Sequence, residues 1–588
     1  MTATSLLRVA LVALLGSGVA AAQRQPRPAS PQTKPAVASP YLITGTVLNS
    51  VDESRVPHCR VSASPVVRGV FASRRFPAAL DPVECDEHGH FSVSLPSAGS
   101  WRLSASARGF ISQDYEQHQM FSSAIVLTAA KPAMDLQFRI SPEATITGVV
   151  VDEAGEPVRT AHVSLLKVPE ASPGSGPETS GMRSIAQTQT DDRGMYELAN
   201  VAPGGYRIVV QAQPWYAAFQ ARGQGSSSTA SLDPSLDFAY PLVWFPGVDD
   251  PALAETIKLV AGDTREADFR LTAVPSIHIH ILPPPGAVNP ANGRAMPIFP
   301  MVQQIVPGGG GQNFAQVNMQ TDAQGQVDVG GLAPGIYRLR FAGPNQSGSS
   351  VVEVAAGSPR TLDLASPSGD ARVTLHFEGL PESGSESRPV GVGLIGTDGS
   401  MANLPFDPTG DFGPGNFGRQ GRRDRGADAG ADHAVEVPPG RYEVVLQGRP
   451  DAYLTGITAK GAEVEGRYVT LSAGASTLTL HVASGRATLT GVATLQDKPS
   501  VGAMALLVPT TIEDPDALRV LRRDQTNTDG SFDIADVIPG QYILVVLDHG
   551  WEINWNDPAT LRGYLSRGVP LDLVSGANVK QNVDAQAP

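Results

Sequence analysis

Seven consecutive residues, Glu84-Cys85-Asp86-Glu87-His88-Gly89-His90, bring carboxylate, thiol and imidazole together, the side chains that ligate a divalent transition metal. His278 and His280 stand two apart, which on a strand puts both imidazoles on one face. Gln525-Thr526-Asn527-Thr528-Asp529-Gly530, running on to Asp533 and Asp536, comes close to the spacing of a calcium-binding EF-hand loop. That loop opens on Gln rather than Asp and closes on Asp rather than a bidentate Glu. His433/Glu436 and His549/Glu552 repeat a His-x-x-Glu spacing, but neither sits in an α/β pattern with a distant third ligand. The sequence holds no Gly-x-Ser-x-Gly elbow, His-Glu-x-x-His pair or phosphate-binding glycine loop. The expectation is therefore no catalytic residue, no metal site and no cofactor.

Aromatic rings offer another chemistry, stacking on sugars or gripping a peptide. One long insertion carries Trp215, Tyr216 and Phe219, then Phe238, Tyr240, Trp244 and Phe245, the two groups split by the run Gly223-Gln224-Gly225-Ser226-Ser227-Ser228. A second group, Trp551, Trp555 and Tyr564, lies near the C-terminus, where Asp557-Pro558 starts a short helix that ends near Gly568. Trp215, Tyr216, Tyr240, Trp244, Trp551 and Trp555 are the candidate ligand-binding residues. The competing explanation is that these rings cover a sheet edge or pack neighbouring modules together.

The elements that position these residues come from a repeat. Pro203-Gly204-Gly205-Tyr206, Pro334-Gly335-Ile336-Tyr337, Pro439-Gly440-Arg441-Tyr442 and Pro539-Gly540-Gln541-Tyr542 each lead into an apolar strand, with Ala98-Gly99-Ser100-Trp101 as a worn first copy. The copies recur at roughly the length of one small β-sandwich. In the second, Thr145–Val151 and Ala161–Leu165 alternate as strands, with Ile146, Val149, Val163 and Leu165 expected to face inward. Asp191-Asp192-Arg193-Gly194 marks a bend whose glycine needs φ > 0, and Asp86 to Gly89 and Asp529-Gly530 repeat it. The metal-like and calcium-like stretches both fall on this bend. Each Tyr is expected to bury its ring and bond its hydroxyl to backbone.

These phrases resemble the carboxypeptidase regulatory-like domain, a transthyretin-like sandwich that occurs in tandem in exported bacterial proteins. They cover copies one, two and five well, three partly and four poorly. The resemblance implies an all-β chain, a tandem array of about five transthyretin-like or immunoglobulin-like antiparallel β-sandwiches, with export but no active site of its own. The boundaries read 41–140, 141–273 with the aromatic insertion, 274–366, 367–485 with a Gly/Arg-rich loop at Phe417–Gly426, and 486–588. Pro307–Gly311 reads as another loop.

Aligning copy one on copy two places Cys59 at Ala161 and Cys85 at Thr190, positions on neighbouring strands. If those strands pair antiparallel, the two cysteines, the only ones in the chain, can bridge. At the N-terminus, Arg8, an apolar run from Val9 and Ala20-Ala21-Ala22 read as a secretory signal over 1–22, followed by a Pro/Ala-rich linker over 23–40. No later run is long and apolar enough to span a membrane.

With 588 residues, 41% hydrophobic and 17% charged, the chain can fill several cores. Its net charge of −14 disfavours nucleic acid as partner. The expected role is an exported, non-enzymatic binding or structural protein of the cell envelope, periplasmic, on the outer surface or extracellular. It would bind carbohydrate or protein through sandwich loops, or serve as an extended spacer. The alternative is an accessory subunit docking on an envelope enzyme or transporter.

Overall fold

The computed structural model describes residues 41–66, 79–168, 182–217, 234–282, 300–306, 317–321, 325–342, 347–355, 361–363, 371–379, 391–396, 401–405, 434–437, 439–447, 451–512, 520–555 and 557–587. The predicted signal, the linker, and the loops at 223–228, 307–311 and 417–426 lie outside the described residues, as do Phe219 and His433.

Strands dominate because the sequence alternates. Along Ala144–Val151 every second residue is buried, so Ile146 and Val150 enter the core while Thr145 and Thr147 do not. Val149 faces the other way, contrary to expectation: it stands three positions from Ile146, and an unbroken strand with period two puts residues an odd number apart on opposite faces. Val163 and Leu165 do point inward.

Two sheets enclose each core. In copy one, His90–Leu95, Tyr41–Asn49 and Ala133–Ile140 form one sheet; the other is built on Arg60–Pro65 and Gly99–Ser106. Between them lie Ile43, Val61, Leu103, Ile125 and Phe138, all buried. Copy two repeats the plan around Ile146, Val163, Ile208 and Phe269, and copy five around Leu489, Leu507, Phe532 and Leu544. Smaller cores surround Ile281, Val329 and Leu339 in copy three and Val373, Leu394 and Leu480 in copy four.

Most pairings are antiparallel, but in every copy the opening strand pairs in parallel with the closing one: Tyr41–Asn49 with Ala133–Ile140, Ala144–Val151 with Thr264–Glu266, Ile277–Leu282 with Thr361–Asp363, Ala371–Glu378 with Gly474–Ser484, and Ala487–Leu495 with Asn578–Lys580. The antiparallel sandwiches are as expected, and in addition the last strand fills the open edge beside the first. The chain then leaves at the end opposite its entry, so successive copies thread in series. The row does not run out straight as a spacer, because copies one and five touch across about four hundred residues of sequence, as the bonds below show.

The repeated phrase has one geometry. Tyr206 Oη donates to Ala202 O at 2.7 Å, Tyr337 to Ala333 O at 2.9 Å and Tyr542 to Ile538 O at 2.6 Å, each four residues back. Trp101, the worn copy, donates its indole N–H to Ser97 O at the same offset, 3.3 Å away. The ring fills the core while its polar tip ties down the preceding turn. A second mark, in copies one, two and five, is a glycine in the opening strand: Gly45, Gly148 and Gly491. A Cβ on Gly148 would fall on Ala267 O, and one on Gly491 on Gln581 O, so the closing strand can approach only where no side chain exists.

Candidate functional site

The seven-residue metal-like stretch is a turn. Asp86 Oδ1 accepts from the backbone N–H of His88 and of His90, both at 2.8 Å, and these bonds hold its carboxyl below the usual range. Asp191 does the same for Arg193 and Met195 at 2.9 and 2.8 Å, and Asp529 accepts from Ser531 at 3.0 Å. Gly89, Gly194 and Gly530 sit at φ 73°, 73° and 77°, the left-handed bend the sequence required. The carboxylate that looked like a ligand is thus spent on its own backbone. Cys85 is also engaged: it forms a disulfide with Cys59, the Cα atoms 5.0 Å apart. At the matching position of copy two, Thr190 Oγ1 accepts from Ala161 N at 2.8 Å and donates to Val158 O at 2.7 Å. In copy five, Thr526 Oγ1 likewise accepts from Ala503 N at 2.8 Å and donates to Ser500 O at 2.6 Å. A covalent bridge in one copy replaces a buried hydroxyl clasp in the other two. Among the described residues no group of three His, Cys, Asp or Glu side chains could hold a metal ion.

His278 is held between two carboxylates. Its Nδ1 lies 2.8 Å from Asp328 Oδ2 and its Nε2 2.7 Å from Asp237 Oδ2, while His280 Nδ1 stands 3.1 Å from Asp328 Oδ1. The bond to Asp328, with that to Asp237 added, outweighs burial and pushes the imidazole up to about 9. Asp237 belongs to the insertion of copy two and Asp328 to copy three, so this histidine rivets two copies. The same junction pairs Phe238–Ala239 with Val274–Pro275, and Gln211 Nε2 donates to Gln304 Oε1 at 2.9 Å.

The insertion splits its aromatic candidates. Trp244 is 1% exposed, packed with Leu166, Met182, Val209 and Ala254 of copy two and Val306 beyond it. Tyr240 is buried in the core of copy two; burial pushes its hydroxyl up, and Glu153 and Asp152 add to the shift. Tyr216 is half-buried, edge-on to Phe238 at 6.3 Å, and feels the same two acids after burial. Trp215 stands apart. It is 75% exposed, with its ring edge-on to Tyr216 at 5.8 Å and 81°. Trp215 is thus left open beside the half-buried Tyr216, while Tyr240 and Trp244 are sent inward.

The C-terminal candidates sit where copies one and five meet. The Trp551 ring lies parallel to His118 of copy one, centroids 5.3 Å apart and planes 6° apart, with Phe121 tilted against it at 5.4 Å. Arg523 places its guanidinium 3.7 Å from the centre of the Trp555 ring and donates to Gln119 Oε1 at 3.2 Å. Beside these rings, Ser123 Oγ donates to Thr526 O at 2.8 Å, Ala124 N to Asn527 Oδ1 at 2.9 Å and Val126 N to Thr528 Oγ1 at 2.9 Å, while Thr528 N returns a bond to Ala124 O at 3.1 Å. Gln525 reaches Glu116 O and Ser123 Oγ. The calcium-like stretch is therefore the buried half of a contact between copies. His118, Phe121 and Arg523 escaped sequence reasoning, because the contact they make joins segments about four hundred residues apart. His549 is exposed, with Asp548 3.7 Å away.

Residues 145–272 match the family described as carboxypeptidase regulatory-like domain, so the segment carrying the aromatic insertion is such a domain. No curated protein matches the chain. Among solved structures, a streptococcal ancillary pilin is 12% identical, with 55% of this chain and 98% of that chain covered and a TM-score of 0.18. The minor pilin of Streptococcus agalactiae is 9% identical over 40% of this chain and 97% of its own, at 0.20. Shaft pilin SpaA from Lactobacillus rhamnosus GG is 12% identical over 40% and 97%, at 0.18. At such TM-scores these likenesses carry no argument about what this chain does.

Proposed function

We propose that this is an exported, non-enzymatic binding protein of the cell envelope, five sandwich modules bounded as in the sequence reading, which takes up carbohydrate at the Trp215 face of the second. Trp215 carries the reading: it is the one candidate ring left 75% open, braced edge-on by Tyr216, with Asp152 and Glu153 near the Tyr216 and Tyr240 hydroxyls. An exposed indole face suits a sugar, which offers C–H faces to stack. The Cys59–Cys85 bridge supports export, since disulfides persist in oxidising compartments. The match to a carboxypeptidase regulatory-like domain, which brings no active site, supports a non-enzymatic role.

A glycan array probed with the full chain and with Trp215→Ala tests this. The expected result is binding to a glycan class that the substitution abolishes while circular dichroism and melting stay unchanged, because so exposed a ring adds little to packing. An array blank for the full chain, or binding indifferent to Trp215→Ala, contradicts it.

A further inference from the structure

The contact between copies one and five differs in kind from the junction of copies two and three. There Val306 enters an apolar cluster around Trp244, and packed apolar surface joins the two copies. Between copies one and five no apolar core is shared among the described residues: the clusters around Ile43 and Phe138, around Leu489 and Phe532, and around Met504 and Leu561 each stay within one copy. What crosses is mostly polar and directional: the bonds of Ser123, Ala124 and Val126 to Thr526, Asn527 and Thr528 and those of Gln525 to Glu116 and Ser123, flanked by one ring contact, His118 and Phe121 against Trp551. Each copy keeps a complete core without the other. Polar interfaces between independently cored units open more readily than shared apolar ones. The two faces are also unlike, so the contact is head-to-tail, the kind that closes within a chain or links one chain to the next.

We propose that this contact is a releasable latch, and that the face of copy five formed by Arg523, Gln525–Thr528 and Trp551 takes the Glu116–Ala124 segment of a second copy of this chain when its own is released. In a dilute solution the tether keeps the chain's own segment at high effective concentration, so the closed monomer prevails. Where chains are crowded, exchange joins copy one of one molecule to copy five of the next.

Two cysteine arrangements in the full chain test both halves. Ala124→Cys and Thr528→Cys in one chain, under mild oxidation and dilute conditions, should bridge within the monomer and speed its migration on a non-reducing gel. The same two substitutions on separate chains, mixed in equal amounts, should give a cross-linked pair whose yield rises with concentration. That yield should exceed several-fold the yield from Ala124→Cys mixed with Val574→Cys, an exposed position outside the contact. A doubly substituted chain that never bridges contradicts the contact. Mixed chains that stay at the Val574→Cys level at every concentration contradict its release.

Discussion

Thr190 shows how a single side chain does in copy two what a disulfide does in copy one. Its hydroxyl is fully enclosed and satisfies both Ala161 N and Val158 O. Thr190→Val keeps the shape and strands two buried polar groups, so copy two should lose about 1–3 kcal/mol; thermal unfolding of the variant against the parent measures it. This pairing of positions was legible in the sequence, because aligning the copies set Cys59 on Ala161 and Cys85 on Thr190. The exposure of the tryptophans was not. Trp215, Trp244 and Trp551 read alike along the chain; Leu166, Met182, Val209 and Ala254 with Val306 cover Trp244, and His118 with Phe121 covers Trp551, partners mostly far away in sequence. Val149 failed for a simpler reason, since its distance from Ile146 breaks strand parity.

Strands and turns were the most readable level, as their signals are local: alternation, an Asp that binds its own turn, a glycine where φ is positive. The parallel closing strand was not readable, because nothing in Ala133–Ile140 distinguishes a parallel neighbour from an antiparallel one. At this scale the junction of copies two and three depends on pH. His278 titrates at about 9 when folded against about 6.5 when unfolded, raised by Asp328 and Asp237. Its contribution is complete below about pH 6.5 and falls away as pH rises through about 9. Hydrogen exchange, corrected for intrinsic rate, should therefore show the Ser276 amide, bonded to Asp237 O, opening more often at pH 9.5 than at pH 6.5. His278→Gln should flatten the difference. Equal protection at both values in the parent chain would show that the rivet does not hold the junction.

For the whole molecule, parallel opening and closing strands make a chain that threads its copies end to end, and the latch of copy one on copy five bends that row into a closed figure. No repeat phrase encodes this closure: on copy five it uses the repeat bend itself, Gln525–Thr528, and what that bend meets is a segment of copy one about four hundred residues away. Closure also gives the Trp215 face a fixed place on a compact body in place of a bead on an extended string. Small-angle X-ray scattering of the full chain in dilute solution tests the closed arrangement most directly. The five proposed modules, with a radius of gyration of about 13 Å each, give roughly 50 Å in a straight row and roughly 30 Å in a closed ring. The closed chain predicts a value near the lower figure; one near the upper figure contradicts it.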